Sequence, residues 1–330
     1  MTDPVDVTAS APQIAGAAPQ ALPHFPVDII APDLSPWRNG NTGIPGFTSF
    51  AGAAPGPHVA LVALMHGNEI SGAIVLDRLL REHPRPRRGR LTIGFLNLAA
   101  FDRFDAAHPT ASRYIDEDLN RLWDAPVLDG PRHSHELALA RAIRPLIDEV
   151  DVLVDLHSML WPSEPLILSG TTAKGRALAG AIRQPDLVVA DAGHMSGRRL
   201  IDYERFASAE TAATAVLVEA GQHWLAGTVD IASASVNGAL AHVGMTSASD
   251  FHAGPGRYAE VTDVITANTA GFAFVQPFRG GDVIRERNTV IGLDGSTELR
   301  TPYDNCLLIM PSLRPSRGHT AVRLARFVEA

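Results

Sequence analysis

The sequence predicts an α/β fold, with a central sheet flanked by helices and a smaller β-rich domain at the C-terminus. Two patterns predict it. From about residue 58, valine- and leucine-rich runs of strand length alternate with amphipathic helical segments, as in a sheet covered on both faces. After about residue 247 this gives way to short β-like pieces separated by Gly, Pro, Asp and Asn. Composition agrees: of 330 residues, 45% are hydrophobic and 19% charged, enough apolar material for a large core.

The elements follow in order. The first 25 residues are rich in Ala and Pro, carry Asp3 and Asp6, and have no basic region before an apolar run. They read as an extended or disordered arm and not as a targeting signal. VALVALM (59–65) is a strand, and NEISGAIVLDRLLREH a helix whose apolar face holds Ile70, Ala73, Ile74, Leu76, Leu79 and Leu80. A proline-broken basic connection, HPRPRRGR (83–90), leads to the strand LTIGFLNL (91–98) and completes a strand–helix–strand unit. SHELALARAIRPLIDEV (134–150) predicts a helix with Ser134 as N-cap, and DVLVDL (151–156) another buried strand. PLILSG, the helix TAKGRALAGAIR, DLVVAD and AVLVEAG (215–221) extend the alternation, and a helix over about 228–243 closes it. The expected organisation is an arm over 1–25, a main domain over 26–246 and a β-rich domain over 247–330.

Composition also excludes functions. A net charge of −8 argues against non-specific nucleic-acid binding. No run reaches the roughly 18 apolar residues of a membrane-spanning helix. The single cysteine, Cys306, excludes an internal disulfide framework and a thiolate zinc cluster, and a reducing cytoplasm is the natural compartment. Gly-rich phosphate cradles are absent.

Three apolar strands run into residues with ligand or acid–base chemistry. The first leads to His66 and Glu69 in an H-x-x-E spacing, the second to His157, and the third to Glu219. Carboxyl ends of neighbouring strands converge on one crevice in an open α/β sheet, so these residues are expected to meet. Two imidazoles and one carboxylate suit a catalytic zinc with one position left open, and Glu219 is then the natural base. Singly, each has an ordinary reading: a chance spacing, a core histidine, a strand-end salt-bridge partner. A second cluster, RYIDEDLNR, holds Arg113, Asn120 and Arg121. Arginine supplies the planar fork that a carboxylate or an oxyanion needs, although pairing with Asp116, Glu117 and Asp118 in a solvated loop would use the same charges.

MHGNE (65–69), RYIDEDLNR (113–121), DLHS (155–158) and LVEAG (217–221) together resemble the succinylglutamate desuccinylase/aspartoacylase family, a zinc carboxypeptidase-like (M14-type) branch of metallohydrolases. The motifs occur in the family's order and span about half the chain. The resemblance implies a mixed central sheet and a C-terminal β-rich domain that covers the active site. It implies one Zn2+ per chain, held by His66, Glu69 and His157, with Glu219 as general base and later proton donor to the leaving amine. Arg113 matches the arginine that polarises the scissile carbonyl, and Asn120 and Arg121 match the pair that grips the amino-acid carboxylate. The implied reaction is hydrolysis of a small N-acyl amino acid.

Aspartoacylases hold the aspartate side chain with a tyrosine and an arginine shortly before the catalytic glutamate. That spacing lands on Arg205 and Ala209, with Tyr203 and Arg205 the nearest residues of the two types. His223 and Trp224 either line a pocket or pack beneath the loop. Arg198 and Arg199 are candidates for reaching an anionic substrate, ahead of His133, His135 and His194 as a second metal site. The basic run Arg81, Arg85, Arg87, Arg88 and Arg90 lacks interleaved aromatics and reads as a solvated connection. The expected partner is a small-molecule N-acyl amino acid, with no nucleic acid and no membrane; homo-oligomerisation stays open. A peptide-trimming zinc carboxypeptidase and a metal-binding protein without catalysis are the alternatives. A C-terminal domain over the site favours small substrates, and Glu219 and Arg113 beside a full ligand set favour catalysis.

Overall fold

The computed structural model describes residues 23–193, 196–247 and 256–329. His194 and nearly all of the expected N-terminal arm lie outside these residues. Among them, an eleven-stranded mixed sheet organises the chain in the order β1-β3-β2-β4-β7-β5-β6-β8-β14-β13-β10. Its first half comprises β1 (Phe47–Ala51), β2 (His58–Ala63), β3 (Arg90–Phe95), β4 (Val152–Met159), β5 (Leu166–Leu168), β6 (Leu187–Ala190) and β7 (Thr214–Gln222). Strands β3, β2, β4 and β7 run parallel, whereas β1 and β5 pair antiparallel with β3 and β7. All six residues of β2 are buried, which is why its sequence is a continuous apolar run with no alternation.

The helices are α1 (Ile70–Arg81), α2 (Leu98–Phe101), α3 (Ala125–Leu128), α4 (His135–Ile147), α5 (Ala173–Ile182), α6 (Glu204–Ala207) and α7 (Ala226–His242). Side-chain alternation on the strands divides the core in two. Val59, Leu61 and Ala63 face one way with Val154, Leu156, Val216 and Val218, where α1, α5 and α7 cover them. Ala60, Val62, Leu153, Ala215 and Leu217 face the other way, against α4 and the Trp123 and Tyr203 rings. Ser134 caps α4 as expected, its side chain accepting from the Leu137 amide, and Thr172 caps α5 in the same way.

The main sheet continues through β8 (Arg257–Thr266), parallel to β6, and on to β14 (Thr320–Val328), β13 (Cys306–Ile309) and β10 (Val283–Ile284), all antiparallel. A three-stranded antiparallel sheet of β9 (Phe272–Phe274), β11 (Val290–Asp294) and β12 (Thr297–Arg300) adds to this smaller C-terminal region. Strands β1 and β8 were not expected. Strand β8 buries only part of one face and carries Glu260 and Asp263, so it lacks the apolar run that marks the other strands. No helix among the described residues is long and apolar enough to cross a membrane.

Candidate metal centre and active site

The chain leaves β2 through Leu64, at a positive φ of 59°, and turns at His66-Gly67 into α1, with Glu69 as its N-cap residue. A Cβ on Gly67 would lie 2.4 Å from backbone atoms of residues 100 and 101, so only glycine permits this close approach. The Gly67 amide donates to the Arg113 carbonyl (3.1 Å), which ties the arginine-bearing loop to the histidine turn.

On β4, Asp155 and His157 are two residues apart and share a face with Leu153. His157 is paired in register with Glu219 on β7. Both residues lie inside their strands, short of the strand ends where the sequence placed them.

Among the described residues, His66, Glu69 and His157 form the group of buried side chains whose ligand atoms lie within 4.8 Å of one another. Nδ1 of His66 is 2.7 Å from one Glu69 oxygen, and Nδ1 of His157 is 2.9 Å from the other. Each ring is steadied from behind: Nε2 of His66 lies 2.9 Å from Asp118 and Nε2 of His157 lies 3.0 Å from Asp155. A carboxylate behind a histidine fixes the ring's tautomer and direction, an arrangement found behind metal-ligating histidines. Burial disfavours charge on Glu69, yet the two rings hold its carboxyl well below the ordinary range. Burial likewise opposes a proton on His157, but Asp155 and Glu69 raise its pKa well above normal. The cluster therefore favours positive charge at its centre, and its two nitrogens and one carboxylate fit a divalent cation of the zinc type.

The cluster opens onto a cavity of about 720 Å³, lined also by Arg113, Asn120, Arg121, Glu219 and His223. Burial pushes the Glu219 carboxyl up to about 8, with His157 the largest opposing influence. One of its oxygens is enclosed with no hydrogen-bond partner among the described residues. Arg113 binds Asp118 at 3.0 Å and lies 3.4 Å from Glu69. Asn120 is buried and accepts from the Leu200 amide through its side chain (2.8 Å), while burial lowers the Arg121 pKa to about 10. Arg199 lines the same cavity but is held by Asp191 (2.9 Å) and Asp202 (2.7 Å). The segment from Met310 to Thr320, and Arg323 on β14, bring the C-terminal region to the cavity wall.

Other expected residues stand elsewhere. The Tyr203 hydroxyl donates to Asp148, and Arg205 donates to the Val150 carbonyl, so the structure does not bring this pair to the cavity. Arg198 pairs with Asp124 at the surface. His133 and His135 are exposed, and in the basic run Arg81 and Arg90 pair with Asp77 and Glu149. Asp155 and Glu136 received no role from the sequence, and Asp118 only that of a pairing partner for the loop arginines, which it is for Arg113 while also backing His66. The D-x-H spacing on a strand signals Asp155, but nothing local signals Glu136, on α4. Its buried carboxylate accepts from the amides of Ile115, Asp116 and Glu117 and from Asn97, fixing the Arg113–Arg121 loop from below.

A mixed α/β sheet with a buried His–Glu–His cluster, opening onto a cavity rich in arginine, defines the class of protein. Residues 55–242, more than half the chain, match the succinylglutamate desuccinylase/aspartoacylase catalytic domain, and the chain belongs to this family of acyl hydrolases. A search of curated proteins gave no match. Among solved structures, the chain is similar to succinylglutamate desuccinylase from Vibrio cholerae, with 19% identity, TM-score 0.66 and 86% of each chain covered. It is also similar to the product-bound ectoine utilization protein of Ruegeria pomeroyi, with 18% identity, TM-score 0.61 and 84% and 88% of the two chains covered. A desuccinylase/aspartoacylase from Rhodobacter sphaeroides gives 18% identity and TM-score 0.62 over 86% and 89%. At these identities the likeness is one of fold.

Proposed function

We propose that this protein is a zinc-dependent amidohydrolase that removes the acyl group from a small N-acyl amino acid, with one zinc per chain held by His66, Glu69 and His157. The observation that carries the reading is the His–Glu–His cluster sharing one cavity with Glu219, Arg113, Asn120 and Arg121. Zinc bound there supplies Lewis-acid activation of the carbonyl and of the attacking water.

The chain's own residues do the rest. Glu219 takes a proton from the attacking water and returns it to the amide nitrogen. The hydroxyl adds to the acyl carbon, the carbon–nitrogen bond breaks, and a carboxylic acid and a free amine leave. A carboxyl raised toward neutrality, as Glu219 is, serves in both directions, and a cation beside it draws its pKa down from about 8. Arg113 stabilises the negative charge that develops on the carbonyl oxygen. Arg121 and Asn120 hold the amino-acid carboxylate, where a guanidinium fork binds two oxygens at once.

We assign residues 26–246 as the catalytic unit and 247–330 as its cover. The Met310–Thr320 segment on the cavity wall supports a small substrate over a peptide. The lone, buried Cys306 supports a cytoplasmic location.

The test is amine release by the zinc-loaded protein across acetyl, hydroxyacyl, succinyl and aromatic-acyl derivatives of several amino acids, with Glu219→Ala as control. Release confined to the wild type supports the reading. Equal release by a zinc-retaining Glu219→Ala protein, or release from peptides alone, overturns it.

A further inference from the structure

Arg199, from the loop after β6, and Arg323, on β14, both line the cavity, although they are only 2% and 4% exposed. They meet on one carboxylate. Asp191, buried directly after β6, accepts from Nη1 of Arg199 at 2.9 Å, and Nε of Arg323 lies 3.2 Å from the same oxygen, Oδ2. Arg199 also donates to Asp202 at 2.7 and 3.1 Å and to the Asp191 carbonyl at 3.0 Å. Two guanidiniums thus stand against two carboxylates. Loss of Arg323 would leave Arg199 alone between two anions, and an unbalanced buried charge strains whatever holds it. Strand β8 separates β6 from β14 in the sheet, so this pairing joins elements that do not share a ladder. Arg323 also lies beyond residues 55–242, the part that matches the catalytic domain.

The segment that carries Arg199 is fastened to the loop that carries Asn120 and Arg121. The Leu200 amide donates to Oδ1 of Asn120 (2.8 Å), the Trp123 amide donates to the Arg198 carbonyl (3.2 Å), and Leu122 and Arg198 form a parallel bridge. At Gly197, where φ is +146°, a Cβ would lie 2.1 Å from the Arg121 carbonyl oxygen, so the two backbones are in contact. Residues 197–200 are the bed on which 120–123 rest, and the Arg199 guanidinium anchors that bed. Direct contacts therefore run from Arg323 through Asp191, Arg199 and Leu200 to Asn120.

We infer that Arg323 is a positioning residue for the carboxylate grip: through Asp191 and Arg199 it holds Asn120 and Arg121 in place, so the C-terminal region completes the binding site as well as covering it. This rests on the deacylase reading above for what the grip holds, whereas the placement of the loop does not depend on that reading.

The experiment compares full-length, zinc-loaded wild type with Arg323→Met and Arg323→Lys. Arg326→Met is the control, because Arg326 is on the same strand but exposed, over the Tyr303 ring at 3.9 Å. On the best N-acyl amino acid, Arg323→Met is expected to raise KM about ten-fold, with a smaller change in kcat and equal zinc content. Arg323→Lys keeps the charge without the planar fork and should recover part of this. In combination with Arg121→Lys, the two increases in KM should fall short of multiplying by about three-fold or more, because both act on one grip. Hydrogen exchange without substrate reads the loop itself. Peptides spanning 119–123 and 197–203 should exchange about ten-fold faster in Arg323→Met, with β2 and β4 unchanged and Arg326→Met like wild type. Unchanged exchange over 119–123 overturns the inference, and so does a wild-type KM beside a lowered melting temperature, the mark of a purely structural strut. If Arg323→Met does not fold, Arg323→Gln, which keeps an N–H donor near the place of Nε but no charge, carries the same two readings, and a wild-type value in either overturns it. If wild type turns over no substrate, only the deacylase reading falls, and exchange alone decides the positioning role.

Discussion

His157 and Glu219 stand side by side on adjacent parallel strands, paired in register between β4 and β7. Neighbouring strands are about 4.8 Å apart, so the Glu219 carboxylate lies beside a metal-ligand candidate without belonging to the ligand group. A group so placed can act on a molecule held at the centre and contributes little to holding the centre together. Glu219→Gln is therefore expected to cut kcat by about 10² to 10⁴ while zinc content stays at the wild-type level. Metal analysis of the purified variant beside its turnover number checks both halves; loss of zinc would make Glu219 a ligand.

Asp118 and Asp155 lie behind the two histidines, and their loss should be felt in the opposite way. With Asp155→Ala, Nε2 of His157 loses its anchor at 3.0 Å, and the ring is free to turn its other nitrogen away from Glu69. Zinc affinity is expected to weaken about 10- to 100-fold, with activity restored by excess metal. Competition against a chelator of known affinity measures this. An unchanged affinity would reduce Asp155 to a packing role.

Arg121 should show itself in KM. Lysine keeps the charge but not the fork, so Arg121→Lys is expected to raise KM roughly ten-fold or more with a smaller change in kcat and no change in zinc content. Steady-state kinetics on the best substrate of the panel decides it.

What the sequence made legible follows from range. The parallel strands and their helices were readable because full burial writes itself as apolar runs, as in β2 and the first part of β4. The His66/Glu69 pair was readable because a strand-to-helix turn brings both back to one point. Strand β8 was not, since its exposed face carries charge and its neighbours β6 and β14 are remote in the chain. Tyr203 and Arg205 were candidates only as the nearest residues of the right types, the family spacing itself landing on Arg205 and Ala209, and nearness in sequence says nothing of direction: both turn to the α4–β4 region. Glu136 was hidden for the same reason as β8: its partners lie 19 to 39 residues away.

Glu136 also yields a prediction in pH. Its side chain is fully buried and accepts hydrogen bonds at 2.6, 3.0 and 3.2 Å from three successive amides, with Asn97 at 3.0 Å. Burial opposes the ionised form, but these donors outweigh it, and the folded-state pKa is lowered. The unfolded chain thus binds this proton more readily than the folded one. The stabilisation is present above the unfolded glutamate value of about 4.3, and it is lost as pH falls through the lower folded value. Glu136→Gln keeps the shape and removes the charge, so it should destabilise by about 1–3 kcal/mol at pH 7. The gap should narrow steadily as the solution is acidified below about pH 4. Denaturant unfolding of both proteins between neutral and acid pH measures the gap directly. Because the same amides carry the loop with Arg113, Asp118 and Asn120, the variant should also lose kcat/KM at pH 7 under conditions where it remains folded. A constant gap across the whole pH range would mean that the amides are held by shape alone, and that the charge on Glu136 contributes nothing to positioning the loop.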